Sequence, residues 1–326
     1  LLHVLNHALF KGLLFLAAGA VLHAAGTREM DRLGGLQRRL PWTGSCFLVC
    51  AAAISGLPPL NGFVSEFLIA LGALLGMSRA AGAGGPIAAS LLVLGALALI
   101  GGLAAACFAK AFGIVFLGEP RSRQAGEARE AGRAMRAPMA VLAAACAAGG
   151  LAAPLLAGAL APVLVRLTRL PAEAVAAALA PAEQALRGAT LGAAGLLAIL
   201  LGLALLRRRL LSRRPVEAAV TLDCGYAAPG PRMQYTASSF AQPLTVLFRA
   251  VLRTRAEVVP PAGFFPARAS LATATPDLFR QGLFQPAFGA IADLLGRLRV
   301  LQHGRIQLYV LSIVLTLLAV IAWKLG

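Results

Sequence analysis

His3, His7 and Lys11 recur every four residues inside an otherwise apolar stretch, LLHVLNHALFKGLLFLAAGAVL. Four-residue steps on an α-helix place side chains along one stripe, about 6 Å apart by helical rise. Imidazole takes and gives a proton near neutral pH, and a lysine ammonium yields its proton more readily once it loses water. A lysine near the centre of a membrane helix costs about 2.5–3.5 kcal/mol on insertion scales, so it needs a polar partner or water. One histidine alone is better explained by a hydrogen bond between helices. The complete ladder favours a conduction path for protons.

Glu66 is the only acidic residue within a clearly apolar span. It follows the segment SGLPPLNG, Ser55 to Gly62, in which Pro58, Pro59 and Gly62 must interrupt any helix. A break at membrane depth leaves backbone groups without intrahelical partners and is tolerated only against protein or a water-filled cavity. Transporters place ion sites at such breaks. Lys110 is a weaker candidate, because it lies near the end of its apolar run and can equally snorkel to the interface. His23 and His303 sit near span ends and read as interfacial.

These groups must be carried by membrane helices. The 326 residues are 59% hydrophobic and only 13% charged, with mean hydropathy +0.79, far from a soluble average. Several runs reach the ~20 residues needed to cross a bilayer, over roughly 1–24, 43–76, 87–117, 138–165, 188–206 and 306–323. The predicted class is all-α, a polytopic transmembrane bundle with one discontinuous helix. Read as a single broken span, 43–76 leaves loops 24–42, 118–137 and 207–214 on one side with four, five and five arginines. Loops 77–86 and 166–187, on the other side, carry one and three. Splitting 43–76 into two spans destroys that asymmetry, so the single broken span with a cytoplasmic arginine-rich side is preferred. The first residue is not methionine and already lies in an apolar run, so the chain reads as the C-terminal part of a longer protein.

A formal charge of +17 raises nucleic-acid binding, but the arginines flank apolar spans as the positive-inside rule expects, so no nucleic acid is predicted. The cationic inventory is 27 Arg against three Lys, of which Lys11 and Lys110 are intramembrane. Arginine does not release its proton, so this balance singles out the lysines for proton exchange. Cys46, Cys50, Cys107 and Cys146 lie in apolar segments, and with Cys224 they show no metal-ligand spacing. No cofactor site is predicted. Between 207 and 305 the chain is more polar, with apolar residues at helical spacing around Phe240–Leu252 and Phe279–Leu298. Amphipathic helices in the membrane interface, or packing on a partner, fit this pattern. The Cys224–Arg232 segment reads as a loop without a catalytic role.

HVLNHALFKGLLFLAAGAVLHAAGTREMDRLGGL, ISGLPPLNGFVSEFLIALGAL and FAKAFGIVFLGEPR resemble the antiporter-like membrane subunits of respiratory complex I and related hydrogenases. TLDCGYAAPGPRMQYTASSFAQPL and QLYVLSIVLTLLAVIAW resemble the hydrogenase 4 and formate hydrogenlyase branch of that family. The resemblance implies a polar axis half-way through the membrane. His3, His7 and Lys11 fall on its connecting section and Glu66 on its terminal position, where some members have lysine. It further implies that 1–165 is the C-terminal half of a proton-channel domain and 166–326 an extension with two more spans and an interfacial segment, 207–305. Expected partners are the lipid bilayer and the other membrane and hydrogenase-type subunits, in a bacterial or archaeal plasma membrane. Nickel–iron and iron–sulfur centres are expected on partner subunits, none in this chain. A non-conducting anchor and a sodium/proton antiporter subunit stay as alternatives.

Overall fold

A computed structural model describes residues 1–79, 84–215, 230–263, 268–297, 304 and 306–325. The helices, in chain order, are α1 (Leu2–Ala25), α2 (Leu36–Arg39), α3 (Pro41–Ile54), α4 (Asn61–Arg79), α5 (Gly84–Phe116), α6 (Arg123–Glu127), α7 (Arg133–Leu151), α8 (Ala153–Ala159), α9 (Ala161–Thr168) and α10 (Ala172–Leu211). They continue with α11 (Ala237–Leu247), α12 (Arg249–Leu252), α13 (Gln285–Arg297) and α14 (Ile306–Leu325). Six of them are long and apolar enough to cross a membrane: α1, α4, α5, α7, α10 and α14. The fold is an all-α membrane bundle.

α1 buries Leu2, Asn6, Phe10, Leu13, Ala17, Ala20, Val21 and Ala25, a repeat of three and four that defines one core face. Against that face pack α3, α4 and α7. Leu2 of α1 clusters with Val64 of α4, whereas Ala17 and Val21 share a cluster with Cys46 and Phe47 of α3. The chain therefore runs antiparallel to α1 through α3, breaks, and continues in the same direction as α4.

The unbroken α5 confirms this course. A Cβ placed on Gly76 of α4 would lie 3.5 Å from Ser90 Oγ of α5, and the tilted rings of Phe47 of α3 and Phe116 have their centres 5.1 Å apart. Ser90 and Phe116 are about 39 Å apart along a helix rising 1.5 Å per residue. The two halves thus lie end to end beside α5, one discontinuous helix and not a hairpin.

The connections 26–40 and 117–132 meet at one end of the bundle. Gly35 N–H donates to Leu117 O at 2.8 Å and Ser122 Oγ donates to Arg32 O at 2.6 Å. Gly35 itself has φ 64°, where L side chains are strained, and a Cβ there would sit a tight 3.0 Å from Gly118 O and Pro120 Cδ. Two arginine-rich loops accordingly share a side, as the single broken span requires.

Two expectations need correction. The run 138–165 is no single span: the helix begins at Arg133 and is cut at Ala152 and Leu160. Pro154 and Pro162 lack an N–H and restrict the residue before them, so each opens a new short helix. Nor is 166–187 a loop. From Ala172 it is already α10, forty residues long, because AEAVAAALAPAEQALRGAT is built of strong helix formers.

By compactness the chain divides into Leu1–Phe240 and Ala241–Gly326. In the second unit, helix is not continuous over the interfacial segment. Arg255–Val259 (β1) and Ser270–Ala274 (β2) pair antiparallel, Arg255 opposite Ala274 and Val259 opposite Ser270. Valine and threonine favour the pleat, and Pro260 ends the first strand. The helical pattern expected from Phe279 onward is α13, preceded by a π-helical turn at Arg280–Phe284. Cys224, His303 and Leu298 lie outside the described residues.

Candidate functional site at the helix break

Residues 55–60 turn tightly between α3 and α4. Gly56 adopts φ 65°, its N–H donating to Ala53 O at 3.1 Å, and Leu57 N–H donates to Ala52 O at 3.1 Å. The Pro58–Pro59 peptide is cis. A side chain on Gly62 would run into the Ala53 carbonyl, so the first turn of α4 can lie against the last turn of α3 only with glycine there. From the opposite side α7 presents Gly149 and Gly150. A Cβ on Gly150 would collide with the Pro59 carbonyl, and one on Gly149 would sit 3.1 Å from Asn61 Cβ.

Asn6 and Asn61, 1% and 0% exposed, join α1 to the break. Asn6 Nδ2 donates to the Asn61 carbonyl at 2.7 Å, and Asn61 Nδ2 donates to Asn6 O and Oδ1, both at 3.4 Å. The first residue of α4 is thereby tied, through its side chain and its carbonyl, to the neighbouring helix α1. One turn further along α4, Ser65 is buried beside His3, with Oγ 2.9 Å from Nδ1, and the same hydroxyl reaches Gly62 O at 3.1 Å. Glu66 is half-buried, its carboxylate packed against Gly56 of the break. Beside the break lies a cavity of about 10 Å³, lined by Pro59, Phe63, Val64, Gly150, Leu186 and Thr190 among others. It has room for a single water, but its largely apolar wall offers few of the partners a water needs.

The ladder residues do not all face this site. At 100° per residue, each four-residue step overshoots a full turn by about 40°, so His3 and Lys11 point about 80° apart. His3 meets α4. His7 is exposed on this chain, with rings of His3 and Phe10 at 5.9 and 5.3 Å. Lys11 is half-buried with Nζ 5.9 Å from the Phe15 ring centre, a cation–π distance. Thus the structure gathers His3, Ser65, Asn6, Asn61 and Glu66 at the break, and leaves His7 and Lys11 turning away from it. Lys110 is half-buried on α5, and no hydrogen bond or ion pair joins it to the break among the described residues.

Sequence reasoning passed over Asn6, Asn61, Ser65 and the Gly149–Gly150 pair. The signal was present: an asparagine in an apolar helix is costly without a partner. Two adjacent glycines within an apolar run likewise mark close backbone approach.

Two clamps hold this machinery at the loop end. Glu130 gathers the N-terminus of α3: its Oε2 accepts from Trp42 N at 2.8 Å and Thr43 N at 3.3 Å, and Oε1 accepts from Thr43 Oγ1 at 2.6 Å. Residues 230–240 bind the 117–121 turn. Gln234 accepts from Glu119 N at 2.8 Å and donates to Glu119 O at 3.2 Å, while Arg121 donates to Tyr235 O at 2.7 Å. Asp31 Oδ1 accepts from Ala237 N at 2.8 Å and lies 3.4 Å from Arg121.

Residues 1–92, which contain the ladder, the break and Glu66, match the family described as NADH:quinone oxidoreductase/Mrp antiporter, TM. Over 98% of its length the chain is 35% identical to hydrogenase-4 component B of Escherichia coli K12, covering 48% of that protein. Over 78% it is 36% identical to formate hydrogenlyase subunit 3 of the same organism, covering 40%. The chain thus spans about half the length, or less, of these curated relatives. Among solved structures, a chain of an archaeal membrane-bound sulfane sulfur reductase superposes with a TM-score of 0.57 at 21% identity, over 98% of this chain and 47% of the other. That likeness shows the fold.

Proposed function

We propose that the chain, whose residues 1–92 match the NADH:quinone oxidoreductase/Mrp antiporter family and which is similar to hydrogenase-4 component B and formate hydrogenlyase subunit 3, is an antiporter-like membrane subunit that translocates protons within a hydrogenase-type complex. The observation that carries this reading is the helix break itself. It sets Ser65 against His3 and the Glu66 carboxylate against Gly56, at an interruption of the kind transporters use for ion sites. In this reading Lys11 and Glu66 take up and release protons, and His3 and His7 relay them through water. Lys110 is a minor contributor on α5. Redox chemistry belongs to partner subunits carrying nickel–iron and iron–sulfur centres. Among the described residues no three His, Cys, Asp or Glu side chains converge to hold a metal. The location is a bacterial or archaeal plasma membrane, with loops 26–40 and 117–132 cytoplasmic.

The complex reconstituted in proteoliposomes tests this. Lys11→Ala and Glu66→Gln are each expected to abolish redox-driven proton uptake while the complex assembles normally. Undiminished uptake in both variants refutes the assignment.

A second reading has its own support: His7 is exposed and Lys11 rests on Phe15, so the ladder does not close onto Glu66 within this chain. As a non-conducting anchor, the protein would tolerate His3→Ala/His7→Ala in flux but lose its partners during purification.

A further inference from the structure

Ser65 has one proton and two acceptors within reach. Its Oγ lies 2.9 Å from His3 Nδ1 and 3.1 Å from the Gly62 carbonyl, and the residue is 2% exposed. Two arrangements follow. If the hydroxyl donates to Gly62 O, its oxygen is free to accept, and His3 must carry its ring hydrogen on Nδ1. If the hydroxyl donates to His3 Nδ1, the ring hydrogen sits on Nε2 and the Gly62 bond is lost. The first arrangement makes two hydrogen bonds where the second makes one. In a buried setting that single extra bond corresponds to about a fivefold excess.

We propose that Ser65 sets the tautomer of His3, holding the hydrogen on Nδ1 and presenting Nε2 as the nitrogen that exchanges protons. The positioning is rigid because Asn6 and Asn61 pin the first turn of α4 to α1, three residues from His3 on one side and four from Ser65 on the other. Ser65 is a positioning residue: it handles no proton in transit and decides which ring atom does. Doubly protonated His3 also requires the hydroxyl to face Gly62, so uptake at Nε2 leaves the Ser65 bonds as they are. A ring in the other tautomer would have to turn the hydroxyl first. The relevance to flux rests on the proton-translocation reading; the tautomer assignment does not.

Magic-angle-spinning NMR of the histidine-labelled complex in membranes reads the ring directly, with His3→Gln identifying the His3 signals by difference. Wild type is expected to show the Nδ1–H form in about fivefold excess. Ser65→Ala should erase the excess, and Ser65→Thr, which keeps the hydroxyl, should restore it. An unchanged ring in Ser65→Ala, or a wild-type ring chiefly protonated on Nε2, overturns the proposal. If proton uptake vanishes in Lys11→Ala and Glu66→Gln while Ser65→Ala leaves the ring unaltered, only the tautomer assignment falls. If Ser65→Ala shifts the ring and uptake survives both of those substitutions, only the proton-route reading falls.

Discussion

Replacing Glu130 by alanine removes three hydrogen bonds from the start of α3 at once. Two of them cap backbone N–H groups that no helix can satisfy internally, a loss of about 0.5–2 kcal/mol. The third leaves the Thr43 hydroxyl, 0% exposed, without its acceptor, which costs about 1–3 kcal/mol. Together the substitution should destabilise the protein by about 2–4 kcal/mol, since the two losses share one carboxylate and add incompletely. For a chain of this size that lowers the thermal midpoint by about 3–6 °C. Glu130→Gln keeps an acceptor oxygen but not the charge, so about half the loss is expected, charged acceptors forming bonds about twice as strong as neutral ones. Thermal unfolding of purified protein in detergent, followed by tryptophan fluorescence, is a suitable assay, because Trp42 is itself one of the capped residues. A Glu130→Ala midpoint within about 1 °C of wild type would show that α3 is held from elsewhere and refute this account.

Other perturbations have distinct signatures. Gly150→Ala sets a methyl group against the Pro59 carbonyl and should cost about 1–3 kcal/mol by overpacking. Gly188→Ala, with nothing within 4 Å of the new atom, should be neutral or slightly stabilising; equal thermal midpoints for the two variants would contradict the close approach. Gln234→Ala breaks the reciprocal pairing with Glu119 at an exposed site, so stability should change by about 1 kcal/mol or less. Proteolysis within 230–240 should nevertheless accelerate clearly, and an unaltered cleavage rate would mean that other contacts hold the segment.

Composition and pattern fixed the fold class because hydrocarbon thickness imposes lengths that apolar runs display openly. Loop arginines distinguished one broken span from two, and the packing of Gly35 on Leu117 agrees with that choice. Where proline and alanine compete, hydropathy alone misplaced the boundaries: 138–165 breaks at Pro154 and Pro162, whereas 172–187 is helical despite its polarity. The short hairpin at 255–274 was hidden because Val258, Val259 and Leu271 serve an interfacial helix as well as a strand. At the site, titratable residues stood out by type, and their placing did not. Stripe arithmetic treated four-residue spacing as collinear, yet the residual 40° per step is what separates His3 from Lys11. Asn6, Asn61 and Ser65 carry no charge and drew no notice, although they are the groups that tie the break to α1.

The stiff 33-residue rod of α5 has a mechanical meaning for the jointed pair beside it. A strut gripping both segments forbids them from folding together or drawing apart lengthwise, so freedom at 55–60 is left mainly as swivel. Rotating α4 by about 20° about its own axis would sweep a group at its rim, about 5–6 Å out, through about 2 Å. Such a stroke is enough to make or part a hydrogen bond, and Glu66 rides on that rim directly above the joint.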